Sequence, residues 1–76
     1  MSLKPIQADR LIKILVKVGF TPLRQKGSHV ILRNTDGRLI VVPLHRGEKI
    51  GIGLLLKIIK ESGLTREMFL ELLNSK

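Results

Sequence analysis

The sequence predicts an α+β fold: one antiparallel three-stranded sheet with helices packed on one face, in the order α-β-β-β-α-α. Two patterns predict it. Apolar residues recur at helical spacing over residues 7–18 and again over Ile52–Ser62. Between them, two runs rich in β-branched residues, His29–Arg33 and residues 39–42, flank an Asp36-Gly37 turn signal.

In the first helix Leu11, Ile12, Ile14, Leu15 and Val18 fall on one side, and Arg10, Lys13 and Lys17 on the other. Pro5 lies just upstream and Asp9 suits the positive end of the helix dipole. Gly19 stands where a left-handed residue ends a helix. Thr21–Lys26 follows as a strand that Pro22 confines to a sheet edge. Gly27-Ser28 breaks that run, and His29–Arg33 forms the central strand. The third strand, residues 39–42, ends at Pro43. Residues 44–51 read as a loop rich in charge and glycine, with Gly51 and Gly53 letting the chain turn into the next helix. Ile52–Ser62 reads as a largely buried helix with Lys57 and Lys60 at its rim, stopped by Gly63. Thr65 caps a final helix to about Asn74, whose inner face is Met68, Phe69, Leu72 and Leu73.

Residues 1–76 are expected to form a single domain, and a hydrophobic content of 43% excludes a disordered chain. The chain has no cysteine, hence no disulfide and no thiolate metal site, as suits a cytoplasmic protein. No signal peptide is expected. No membrane span is expected either, since Lys57 and Lys60 break the most apolar stretch well short of the ~18 residues a span needs, and no membrane is expected as the partner.

Charge says more about partners. The formal net charge is +8, and residues 1–49 hold ten basic residues against three acidic ones. Such a field gathers polyanions: nucleic acid first, an acidic protein second and an anionic membrane surface a weaker third. With two Phe and no Trp or Tyr, recognition by stacking bases on aromatic rings is not indicated.

Only His29 and His45 can exchange protons readily near neutral pH. The bland reading makes each a surface residue at a strand end. Around His29 three features favour chemistry: Gly27 permits close backbone approach to an anion, Ser28 offers a hydroxyl, and Arg24 and Lys26 supply cations on the approach strand. A base for a ribose 2′-hydroxyl and cations beside a phosphate are what RNA cleavage without a metal requires. The RNA-contacting set is Arg24, Lys26, Gly27, Arg33 and Arg46, with His29 catalytic and His45 and Ser28 as acid/base or phosphate contacts. No metal site and no cofactor are expected, because two histidines without further ligands fall short of a zinc set and no phosphate-cradling glycine loop is present.

Two hairpin registers are open. A two-residue loop sets Thr35 against Arg38 and His29 against Leu44, sending His45 to the opposite face. A three-residue loop with Gly37 left-handed sets Asn34 against Arg38 and His29 against Pro43, and His45 then lies diagonal to His29 on one face.

Gly19-Phe20, Arg24-Gln25-Lys26-Gly27-Ser28-His29 and Val42-Pro43-Leu44-His45, in that order and spacing, resemble the HicA (YcfA-like) toxin family. Gly53, Leu56, Ile59, Ser62-Gly63-Leu64-Thr65 and Met68-Phe69 extend the likeness over nearly the whole chain, whereas Leu54 departs from the Thr common among relatives. The resemblance implies a fold like a double-stranded-RNA-binding domain and an mRNA interferase whose essential residue is His29. It also implies a cognate acidic antitoxin, HicB-like, that keeps the toxin inactive. The alternative is a non-catalytic domain that binds structured RNA, and a third is a module whose basic face serves only an acidic protein.

Overall fold

Residues 3–75, the part that the computed structural model describes, form eight elements. They are β1 (Ile6–Gln7), α1 (Ala8–Lys17), β2 (Thr21–Lys26), β3 (His29–Arg33), β4 (Leu39–Pro43), β5 (Lys49–Ile50), α2 (Ile52–Ser62) and α3 (Arg66–Asn74). The expected α-β-β-β-α-α order holds. β2, β3 and β4 make an antiparallel sheet in that order, and the helices cover one face of it.

The amphipathic pattern of α1 does what its spacing promises: Leu11, Ile14 and Leu15 are buried, Ile12 and Val18 half-buried, and the cations face solvent. Gly19 takes φ 103° directly after the helix, and the Phe20 N–H returns to the Leu15 carbonyl at 3.0 Å. Phe20 is thereby turned into the core, beside Leu32, Ile40 and Val42 from the sheet, Leu55 and Ile58 from α2, and Phe69 from α3. Pro22 does lie on an edge strand, and the register slips between Pro22 and Arg24.

Four expectations need correction. Residues 44–51 are not all loop, because Lys49–Ile50 pairs antiparallel with Ile6–Gln7. α2 is covered on one side only: Leu55, Ile58 and Ile59 are buried, while Ile52, Leu54 and Leu56 stay more than a third exposed. Its apolar residues outnumber the sheet positions available to receive them. In α3 Phe69 is the buried anchor with Leu72 and Leu73 half-buried beside it, but Met68, about 100° round the helix from Phe69, is 48% exposed. Gly51 caps α2 at φ −69°, a conformation open to any residue, so its glycine is not what turns the chain.

Two arginines tie the helices down. The Arg38 guanidinium donates to the Glu61 carbonyl at 2.8 Å, and Arg10 donates to the Leu73 carbonyl at 2.8 Å. Each satisfies a carbonyl in the last turn of a helix, where a cation also suits the dipole. The Thr65 hydroxyl accepts from the Met68 N–H at 3.1 Å, the expected N-cap of α3.

Candidate active site

Two turns decide where the histidines stand. Lys26 pairs with His29, leaving Gly27-Ser28 as a two-residue hairpin loop. Gly27 has φ 59°, and among the described residues no non-glycine has positive φ, which is the pattern of a type II′ turn with glycine first. Gly27 is thus required by the turn that aims His29. The Gln25 side-chain amide braces that turn by donating to the Gly27 carbonyl at 3.2 Å.

The second turn settles the register. The Asn34 N–H donates to the Arg38 carbonyl at 3.1 Å, the Gly37 N–H donates to the Asn34 carbonyl at 3.0 Å, and Gly37 has φ 81°. Thr35-Asp36-Gly37 is therefore the three-residue loop with a left-handed glycine. The Asn34 side-chain oxygen reinforces it by accepting from the N–H groups of Asp36 (3.1 Å) and Arg38 (2.8 Å). His29 then pairs with Pro43, and the Leu44 N–H donates to the Ser28 carbonyl, closing the ladder at the site.

His45, two residues beyond Pro43, comes round to the same face as His29. The two ring centroids are 6.4 Å apart with the planes at 77°, and both side chains are exposed. Residues paired directly across an antiparallel sheet share a face. Lys26, His29 and Pro43 accordingly form one row on the uncovered side of the sheet, and Arg24, Ile31 and Val41 form the next. Arg33 shares that face with Thr21 and Leu39 but stands four residues along β3, about 13 Å from His29. The fold brings Arg24 and Lys26 to the histidines and leaves Arg33 apart.

Ser28 is half-buried, and among the described residues its hydroxyl has no hydrogen-bond partner. Arg24, Lys26, Arg33 and Arg46 likewise have no hydrogen-bond or ion-pair partner among the described residues. They differ in this from Arg10 and Arg38, whose heads are committed to helix ends.

Arg46 and His45 line an open cleft of about 400 Å³ whose opposite wall is Gln7, Ala8 and Asp9 at the start of α1. Sequence reasoning missed these wall residues. The link is the β1–β5 pairing, which sets Gln7 against Lys49, and two-residue strands leave no periodic signal. Among the described residues no three His, Cys, Asp or Glu side chains gather as a metal site would need.

This arrangement of paired imidazoles and free cations on an open sheet face can be compared with known proteins. A family model described as HicA toxin of bacterial toxin-antitoxin matches residues 8–64 of the 76. The chain belongs to the HicA toxin family. The match runs from the first residue of α1 through the end of α2, so it includes both turns and both histidines. No curated protein matches the chain. As a HicA toxin it has an antitoxin for a partner. No helix among the described residues is long and apolar enough to cross a membrane.

Proposed function

We propose that this toxin is a metal-independent endoribonuclease, an mRNA interferase, that cleaves RNA by internal transesterification with His29 as general base and His45 as general acid. The observation that carries the reading is the pair of exposed imidazoles 6.4 Å apart beside Lys26. The reading requires one phosphodiester to come within about 2.6–3.2 Å of a nitrogen of each ring, and a pair this close on an open face can serve the two sides of a single phosphate.

In the step, neutral His29 takes the proton of the ribose 2′-hydroxyl, and that oxygen attacks phosphorus. The bond from phosphorus to the 5′-oxygen breaks, and protonated His45 gives its proton to the departing oxygen. The products are a 2′,3′-cyclic phosphate and a 5′-hydroxyl end. Lys26 and Arg24 stabilise the charge that grows on the phosphoryl oxygens, with the Ser28 hydroxyl and Gly27 backbone beside them. Arg46, in the neighbouring cleft, and Arg33, farther along β3, hold flanking phosphates. A net charge of +8 draws the polymer in. The same charge suits an acidic antitoxin of the HicB type that covers the histidines, and action on messenger RNA places the work in the cytoplasm.

The test is incubation of wild-type and His29→Ala protein with RNA in EDTA. The wild type is expected to cut and to leave cyclic or 3′-phosphate ends. His29→Ala is expected to bind RNA equally but cut at least about 100-fold more slowly, the usual size of one positioned proton transfer. Equal cleavage by both proteins would overturn the assignment. Binding with a steep salt dependence and no cleavage by either would instead establish a structured-RNA binder.

A further inference from the structure

The two free edges of the three-stranded sheet are built differently. Along the β2 edge stand Pro22, a register slip before Arg24, and the cations Arg24 and Lys26. Proline, bulges and charges are the devices that keep a strand edge from pairing with another chain. β4 has none of them before Pro43: its register against β3 is unbroken and Leu39, Ile40, Val41 and Val42 are uncharged.

The backbone groups left free on β4 follow from parity. Asn34 bonds Arg38 at one end of the ladder and Ser28 bonds Leu44 at the other. Bonded and non-bonded pairs alternate along an antiparallel ladder. Ile40 and Val42 therefore bond to β3, while Leu39 and Val41 turn their N–H and C=O groups outward. Among the described residues these outward groups have no partner. The side chains of Leu39 and Val41 are 55% and 46% exposed. At its far end the edge opens into a cleft of about 210 Å³ lined by Pro43, His45, Lys49 and Leu54 among others.

We infer that the outer edge of β4 is the docking rail for an extended acidic segment of the antitoxin, which adds to the sheet as a fourth strand. Outward N–H and C=O groups at strand spacing are matched by another peptide backbone and not by a ribose-phosphate chain. A second copy of this chain would set one body of charge +8 against another. An acidic segment instead meets Arg46 and Lys49 near the Pro43 end of the rail, with Glu48 beside them, so charge favours it there. Because β4 runs into Pro43 and His45, a strand laid on it ends over the imidazole pair, and docking and occlusion become one event. The inference rests on membership in a toxin–antitoxin family and not on the nuclease reading.

The experiment compares amide hydrogen exchange in the free chain and in the complex copurified with its cognate antitoxin. In the free chain Leu39 and Val41 exchange faster than Ile40 and Val42; in the complex both become protected. Val41→Pro removes an outward N–H without touching the β3 ladder, as an edge strand allows. It is expected to weaken antitoxin binding about tenfold or more, the loss of a hydrogen bond plus the ring's obstruction, with RNA cleavage and thermal melting unchanged. Val41→Thr keeps the N–H and keeps the affinity. Should Val41→Pro fail to fold, Leu39→Pro removes the other outward N–H of the same edge. Amides that stay unprotected in the complex, or wild-type affinity in the blocked variant, would sink the inference. So would a dimer of the free chain that Val41→Pro disperses, since that would give the rail to a second copy. Failure of every variant to cut RNA would count against the nuclease alone, because protection is read without activity.

Discussion

β3 shows two unlike faces within five residues. Val30 and Leu32 are buried beneath the helices, whereas His29 and Arg33 lie exposed on the other side with Ile31 half-buried between them. A strand alternates its side chains strictly, so one short sequence holds the sheet to its core and offers reactive groups to solvent without compromise between the two. The difference teaches that stability and chemistry in this molecule are separated by parity of position and not by distance. His29 and Val30 are neighbours in the chain, yet a change at one need not be felt as a change of the other kind.

Substitutions on the two faces sharpen the contrast. Leu32→Ala, on the covered face at 0% exposure, is expected to cost about 2–5 kcal/mol, read as a lower unfolding midpoint in urea. Cleavage per folded molecule should stay unchanged well below that midpoint. His29→Ala, three residues back along β3 and on the open face, should leave the midpoint where it was, and a comparable drop there would break the division. Next in size, Arg24→Ala combined with Lys26→Ala should weaken RNA binding across sequences. The slope of log affinity against log salt should become shallower by about 1.4–1.8 for the two lost phosphate contacts. A slope that does not move would transfer the phosphate path to Arg33 and Arg46. Smallest, Gly27→Ala forces a side chain into φ 59° and should cost about 1–2 kcal/mol, although open space surrounds the added Cβ. Its turn serves both faces, so a loss of activity exceeding the loss of stability would show that the tilt of His29 is set there.

Much of this architecture can be read from the chain, and the parts that cannot share a cause. α1 is legible because five apolar residues repeat at one spacing, and the β2 edge because Pro22 cannot donate to a central ladder. The nearness of Lys26 to His29 is legible from Gly27-Ser28. The place of His45 is not, since it hangs on whether the loop before β4 has two residues or three. That choice is made by the Asn34 side chain, whose bonds to Asp36 and Arg38 leave no mark in apolar periodicity. β1 and β5 escape for lack of length, and the cleft wall of Gln7, Ala8 and Asp9 goes with them. Exposure of Met68 and Leu54 depends on which helix sides find a neighbour, a property of the assembled layers.

Surface loops commonly absorb the gain or loss of a residue, because the elements they join are held in place by other contacts. For Thr35-Asp36-Gly37 the kind of turn matters more than the number of residues. Were the intact chain to tighten its turn onto Asp36-Gly37 alone, β4 would slide by a single step, lifting Ile40 and Val42 out of the interior and carrying His45 away from His29. A change of turn about 17 Å from the imidazoles, in a segment that touches neither of them, would thus dismantle them as surely as replacing one. The Asn34 side chain and the left-handed Gly37, which hold the longer turn, therefore hold the imidazole pair as well.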